Sequence, residues 1–575
     1  RMEMLRSLTD RPLKQRPERF ARSSREKSYM RMKAFLYRRE KTHYNEGMCY
    51  LHFGNGKNMK IQRRHKIGIS FFLLLAVMLT GCTGQENSVQ KQEEAAPVSM
   101  EEEPDLNYEI PVSVPGILVD QLGYIKEGTK IAVFCGNEVP EEFYVVNQDT
   151  GEVVYTGFAE EKEEQKAGEK QISYGDFSDF QVEGTYYLET AALGRSYYFT
   201  IKEDLYGDIF REAFKQYYYN RCGMTLTREY AGDLSHNACH TGKAVLREDV
   251  SAYRDVSGGW HQDQNGSKNV VKAAKSMGIM LLAYELYGDA FGDDMEIPES
   301  GNGIPDLLDE MRYETEWLLK MQEAQTGAVY QGVTMYQQGT YIEPPDMETA
   351  KAFAMVLAKF SYLYQSYDEE YATECLKVAD RAFQYARLND SEKDREDPFY
   401  FAAAAELYRA SGQQYLYTLT AEYLEQTLME NKEELDDITF LGYVTYISTK
   451  QRVDLNDCEK ITKILMEQAE EVSDLTRENP YLVSSRDTSD HMELLDHVMK
   501  ITMVNYMIAN HEYETVIENH LHYFLGRNEQ AICYLDHVGQ KNYSQIDEGL
   551  GIMNQFEADS KLIFVLSEIV CTYGS

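Results

Sequence analysis

FGDDMEIPESGNGIPDLLDEMRYETEWLLKMQ, Phe291 to Gln322, changes character at Pro305. Its first half is rich in Gly, Asp, Asn and Pro, the residues of turns. Its second half sets Leu307, Leu308, Met311, Leu318 and Met321 at helical spacing, so a helix is expected over 304–323. The same period recurs on both sides, over 206–221, 268–288, 347–366, 370–387, 397–411 and 413–429, then over 435–449, 455–472, 491–509, 513–525 and 556–570. Twelve such segments read as six helical hairpins closed into an α/α toroid, over residues 204–575. A solenoid of stacked hairpins is the structural alternative, but no repeating sequence period supports it.

Ahead of the helices the pattern differs. From Gly116 to about Lys202 short alternating runs, ILVDQLGY, KIAVFC, EEFYVVN, EVVYTG, TYYLET and SYYFTI, are separated by Gly, Asn and Asp. They predict a small β-sandwich over 112–203. Residues 83–111 are rich in Gln, Glu, Ser and Pro and suit a disordered tether. Before them, MKIQRRHKIGISFFLLLAVMLTGC, Met59 to Cys82, has a basic start, an apolar run from Ile67 to Leu79 and small residues before a cysteine. That order reads as a lipoprotein-type secretory signal, in which Cys82 would be lipidated and become the first residue of the mature chain. A start at Met59 would make residues 1–58 an upstream extension that is not part of the fold. The expected location is the outer face of a bacterial cell membrane, held by a lipid anchor alone.

The formal net charge of -37 is unevenly spread: residues 1–81 carry 19 Lys and Arg against 6 Asp and Glu, leaving 39 basic and 89 acidic residues downstream. An acidic folded part repels nucleic acid and anionic lipid, whereas a neutral glycan is indifferent to it. Of nine cysteines, Cys49 and Cys82 fall outside the folded part, and the remaining seven, odd in number and irregularly spaced, do not outline a disulfide framework.

Several blocks carry a resemblance in the right order: FREAFKQYYYNRCGMTL, HNACH, DVSGGWH, the Phe291–Gln322 stretch and LHYFLGRNE. With ILVDQLGY and DFSDFQVEGTYYLE ahead of them, the chain resembles the glycoside hydrolases of family 9, the cellulase family, preceded by their immunoglobulin-like module. The resemblance implies an (α/α)6 barrel, β-1,4-glucan or a related glycan as partner, and hydrolysis with inversion.

Inversion needs a carboxylate that activates water and a carboxylic acid that protonates the leaving oxygen. In the family pattern the base lies in a GGWHDAGDxxK-like loop; here the loop is GGWHQDQNGSK, Gly258 to Lys268, with Gln262 and Asn265 at the two aspartate positions. An amide orients water but takes no proton near neutral pH. Asp263 is the one carboxylate left in the loop, either a solvated loop acid or a substitute base. Ungapped alignment of LIFVL with the family's NEVAIxxNxPLVFAL places Met553 where the catalytic Glu belongs. Glu548 and Glu557 lie near in sequence, and Glu557 reads either as a substitute or as a solvated helix acid. The long loop that carries a His and Arg contact to sugar is absent between Tyr543 and the last helix. Trp260 is the candidate stacking ring for a sugar, since helical spacing places Trp317 in the core.

Cys222, Cys239, His240 and His261 suit a closed tetrahedral zinc site, although isolated cysteines are commonly buried small hydrophobes. Family members with this pattern bind a structural zinc, which here would pin the loop to the first helix. Glu299, Ser300, Asn302, Asp306, Asp309 and Glu310 offer oxygens for calcium, as in some relatives; alternatively they form a turn and a helix N-terminus. Two functions follow: a hydrolase with displaced acids, or a non-catalytic module that binds glycan or protein through the old cleft.

Overall fold

The computed structural model describes residues 108–161, 170–336, 339–389, 397–428, 435–485, 490–535, 538–542 and 556–573. Residues 1–107, with the signal segment, Cys82 and most of the expected tether, lie outside them; the tether's expected end at 111 is corrected, because Tyr108 is already buried on the sandwich, its hydroxyl donating to the Ser196 carbonyl at 2.9 Å. Strands β1 (Ile117–Leu118), β2 (Gly123–Ile125), β3 (Ile131–Gly136), β4 (Glu142–Asn147), β5 (Val153–Glu161), β6 (Gln171–Asp176), β7 (Gly184–Thr190), β8 (Gly194–Arg195) and β9 (Phe199–Lys202) make the expected sandwich. Their order is β1-β3-β6-β5-β4-β7-β9-β2, antiparallel except for β2 with β9. β5 pairs with β4 at one end and β6 at the other, which turns the sheet over its own core of Val133, Phe134, Phe143, Phe177, Leu188 and Phe199. Gly157 sits at that corner, where a Cβ would lie 2.2 Å from the Phe143 ring.

Twelve long helices follow among the described residues: α1 (Gly207–Tyr219), α2 (Val270–Leu286), α3 (Asp306–Met321), α4 (Met347–Tyr364), α5 (Glu369–Leu388), α6 (Pro398–Ser411), α7 (Gln414–Thr427), α8 (Asp437–Ser448), α9 (Leu455–Glu478), α10 (His491–Ile508), α11 (His511–Phe524) and α12 (Phe556–Tyr573). The even-numbered helices form the inner ring: Phe399–Arg409 of α6, Ile438–Ile447 of α8 and Ala558–Ile569 of α12 are buried all round. The odd-numbered ones bury a single stripe, as in α9 with Cys458, Ile461, Leu465, Ala469 and Val472. α12 packs on both α10 and α2, so the last hairpin closes the ring. Outer and inner helices alternate, which makes the inner six parallel, and their N-termini open on one end of the barrel. Asp346, Asp397, Asp436 and Asp490 cap four of them by accepting backbone N–H bonds.

The sandwich is locked to the barrel by the motif that opened it. In ILVDQLGY, Asp120 accepts from Leu122 and Gly123 N–H through Oδ1 and contacts His522 Nδ1 at 2.9 Å through Oδ2. Gln121 donates to the Ala531 carbonyl and accepts from Lys541 N–H.

One element departs from the all-helical expectation after residue 204. Strands β10 (Lys243–Leu246), β11 (Tyr253–Asp255), β12 (Lys268–Asn269), β13 (Gly332–Tyr336) and β14 (Gly339–Ile342) form a second sheet in the order β11-β10-β14-β13-β12. Strands of two to five residues are too short to show an alternation, and their partners lie up to about a hundred residues away. The sheet stands at the inner-helix N-terminal end, because β12 runs directly into α2.

Candidate functional site

The Gly258–Lys268 loop is fixed by backbone first. Cys222 N–H donates to the Gly259 carbonyl at 2.7 Å and His261 N–H to the Asn220 carbonyl at 2.8 Å, so the loop lies along the chain leaving α1. This contact brings four donor atoms together: Cys222 Sγ, Cys239 Sγ, His240 Nδ1 and His261 Nε2 all lie within 4.8 Å of one another. Individual edges are 3.8 Å for Cys222–His240, 3.6 Å for Cys239–His261 and 3.2 Å for His240–His261. A tetrahedral centre with bonds of about 2.0–2.3 Å has edges of about 3.3–3.8 Å, so the donor set fits one small cation. Gly266, at φ +84°, closes the loop over this group, and a Cβ there would lie 2.7 Å from His240 Cε1. Burial, then the neighbouring His240, lowers His261 to about 4. Burial pushes the Cys222 thiol up to about 11 against the pull of Lys268, whose Nζ lies 3.7 Å from its sulfur.

Trp260 does not face a cleft. It is fully buried, with its indole N–H donating to Glu310 Oε1 at 2.7 Å, its backbone N–H to Glu314 at 2.8 Å, and its ring against Tyr217 and Phe556. The sugar-stacking expectation is therefore corrected: a Trp in a glycine-rich loop looked exposed, but two buried α3 carboxylates hold it inside. Glu310 also pairs with Arg221, which reaches Glu299 as well, at 2.9 Å. Removing the cation from such a buried pair leaves an uncompensated charge. Arg221→Leu should destabilise the fold by about 3–5 kcal/mol in urea unfolding, and a change below about 1 kcal/mol would contradict this reading.

At the two amide positions the loop is a latch. Gln262 donates to the Asn269 carbonyl at 3.0 Å and accepts from Asn269 N–H at 2.9 Å, while its own N–H binds Ser267 O. Asn265 is exposed. Asp263 accepts from Asn265 N–H at 2.8 Å and Ser267 N–H at 2.9 Å. Burial raises its pKa, but the bonds from Ser267, Asn265 and Gly266 outweigh this and hold the carboxyl below the usual range.

Glu557, in the first turn of α12, belongs to a centre that sequence reasoning missed. Its Oε1 lies 3.5 Å from Lys561 Nζ, and the same amine contacts Asp437 of α8 at 2.7 Å and Asp496 of α10. Lys500 adds a second cation 3.9 Å from Asp437. Burial works against the Lys561 ammonium, yet Asp437 and Asp496 hold it above its ordinary value. Burial, with Asp437 alongside, raises Asp496 to about 6. The three carboxylates are thus engaged by one buried ammonium. A lysine inside the apolar run ADSKLIFVLSEI was the available signal. Met553 and Glu548 lie outside the described residues.

A family model for glycosyl hydrolase family 9 matches residues 206–549, more than half of the chain. The chain belongs to glycosyl hydrolase family 9. A second model, the cellulase N-terminal ig-like domain, matches residues 113–195. Endoglucanase D of Acetivibrio thermocellus is 28% identical over 464 residues, 74% of this chain and 73% of that one. A xyloglucan-specific endo-beta-1,4-glucanase of Bacteroides ovatus is 26% identical over 485 residues, covering 74% and 81%. Among solved structures, a family 9 protein of Bacteroides ovatus superposes with TM-score 0.70 at 22% identity over 80% of this chain and 99% of that one. The barrel and its preceding sandwich are thus those of family 9.

In this family 9 chain the expected calcium ligands are divided among protein partners. Glu299 and Glu310 face Arg221; Asp306 accepts from Met295 N–H and the Ser300 hydroxyl, both at 2.6 Å; Asp309 accepts from Asn302 Nδ2 at 2.8 Å. These contacts fit the alternative reading of the stretch, in which the oxygens build the turn and the start of α3. Among the described residues, the Cys222 group is the one set of three or more His, Cys, Asp or Glu donors placed to share a metal ion.

Proposed function

We propose that this protein is a cell-surface lipoprotein that binds β-glucan on a family 9 scaffold, with hydrolysis lost or strongly reduced. The observation that carries this reading is Gln262, whose amide is engaged on both sides by the Asn269 backbone where the water-activating carboxylate is expected. Asp263 next to it is held ionised by backbone donors, which lowers its basicity and fixes its direction. The carboxylates nearest the start of α12, Asp437, Asp496 and Glu557, are drawn to one ammonium, which favours their ionised form over a proton-donating acid. Relatives named as endoglucanases and as a xyloglucan-specific glucanase support a β-1,4-linked glucan as ligand, and the acidic surface argues against polyanions. A non-catalytic module that binds protein through the old cleft is the second reading, favoured by the same latch.

Cys222, Cys239, His240 and His261 are proposed to hold a structural zinc ion. Four protein ligands leave no open position, so the ion would pin the loop to the chain after α1 rather than take part in chemistry. Lipidation at Cys82 is proposed from LTGC: expression in a bacterial host should place the protein in the membrane fraction, and Cys82→Ala should release it. A Cys82→Ala protein that stays membrane-bound would indicate an uncleaved anchor.

The functional reading is tested by pairing two measurements on the same preparation: binding of cellohexaose and soluble xyloglucan by calorimetry, and reducing-end release from the same polymers. Binding without appreciable release supports it. Ordinary cellulase turnover, or no binding at all, counts against it.

A further inference from the structure

The second sheet has one face in the protein and one in solvent. Val333, Met335, Ile342 and Ala244 are buried on the inner face. Register places the opposite set together: Tyr253 pairs with Val245, Val245 with Tyr341, Tyr341 with Thr334, and Asn269 with Gly332. Paired residues share a face and residues two apart along a strand share it too, so Tyr336, Arg247, Glu343, Lys243 and Asp255 belong to this set. Tyr253 is 59% and Tyr336 54% exposed, large rings that a hydrophobic core would have claimed. Both are braced: Lys243 Nζ lies 4.6 Å from the Tyr253 ring centroid, and the Arg247 guanidinium 5.7 Å from Tyr336 and 4.7 Å from Tyr341.

The charges named on this face are two of each sign. Arg247 forms two 2.6 Å bonds to Glu343, and Lys243 stands opposite Asp255 in register. Flat amphipathic rings with a few fixed polar groups and no net charge suit a neutral ring-shaped ligand rather than a polyanion or a lipid surface. The face spans four strand spacings, about 19 Å, room for several sugar rings. At its β12 edge it meets a cavity of about 260 Å³ lined by Gln262, Asp263, Lys272, Thr334 and Glu343, so it is continuous with the Gly258–Lys268 loop.

We propose that the outer face of β10–β14, anchored on Tyr253 and Tyr336 with Arg247 and Glu343, is a glycan-binding platform for a neutral β-linked glucan chain that leads to the Gln262 latch. It rests on the glycan-binding reading above and gives it a location. The test uses the full chain in detergent, titrated with cellohexaose and soluble xyloglucan. The double variant Tyr253→Ala/Tyr336→Ala should weaken binding at least about tenfold, as loss of aromatic anchors does elsewhere. Tyr253→Phe/Tyr336→Phe, which keeps the rings, should bind as the parent does, and so should Tyr506→Ala, an exposed ring on α10. Parent binding with an unaltered alanine double variant overturns the platform and leaves the glycan-binding reading standing; absence of parent binding overturns both. A concentration-dependent dimer abolished by the double variant would assign the face to a second copy and overturn the proposal.

Discussion

Hydrolysis of soluble β-1,4-glucan by this protein should fall below that of a competent family 9 endoglucanase by at least the roughly 10²–10⁴ that general acid–base catalysis contributes. An amide at Gln262 cannot take the proton of the attacking water, and its hydrogen bonds to Asn269 leave it no freedom to orient one. Restoring Gln262→Asp and Asn265→Asp together should recover little. A carboxylate at 262 loses the donor that binds the Asn269 carbonyl, and on the proposed reading the leaving oxygen still lacks an acid, since the family pattern sets Met553 there and Glu557 faces Lys561. Initial rates on a soluble β-glucan, with reducing ends measured for parent and double variant, decide the matter. Parent turnover at ordinary cellulase rates, abolished by Asp263→Ala or Glu557→Ala, would show that the acids have moved rather than vanished.

Zinc content should follow the Cys222 group. The purified protein should carry about one zinc per chain by metal analysis, and Cys222→Ala should lose it. The variant should lose stability well beyond the ~1 kcal/mol of a typical substitution, because the proposed ion would tie Cys239 and His240 to the paired Cys222 and Gly258–Lys268 segments. Metal binding to thiolates and imidazoles releases protons, so zinc should also leave as the pH is lowered, and chelator treatment should reproduce the variant's melting temperature. Gly266→Ala offers a variant that removes no ligand: it forces His240 aside and should weaken zinc retention while leaving all four donors present. Unchanged metal content in Cys222→Ala, or a metal-free parent of equal stability, would remove zinc from the account.

Residues 304–323 show how legible a helix of this barrel was in the sequence: the expected span brackets α3 by two residues at each end, and the other eleven were visible too, although α9 runs on to Glu478 where an end at 472 was expected. Helical period is a local property, set by which side of a few turns must leave water, and it survives in each segment alone. The four zinc-type ligands were nameable from motif resemblance, yet their convergence depends on the Cys222–Gly259 and His261–Asn220 backbone bonds, which no spacing reports. Trp260 was misplaced because a loop position says nothing of the two α3 carboxylates that capture it. The Lys561 centre draws on α8, α10 and α12, separated by up to 124 residues between Asp437 and Lys561, and the tyrosine face of the second sheet exists only through pairing across strands β10 to β14. The sequence by itself determined the helical and strand periods, the amides at 262 and 265 and the acidic surface, all carried by residue identity or short-range order. Tertiary structure alone decided which charges meet and which rings stay in water, since those follow from contacts between distant segments whose pairing energy no single stretch contains.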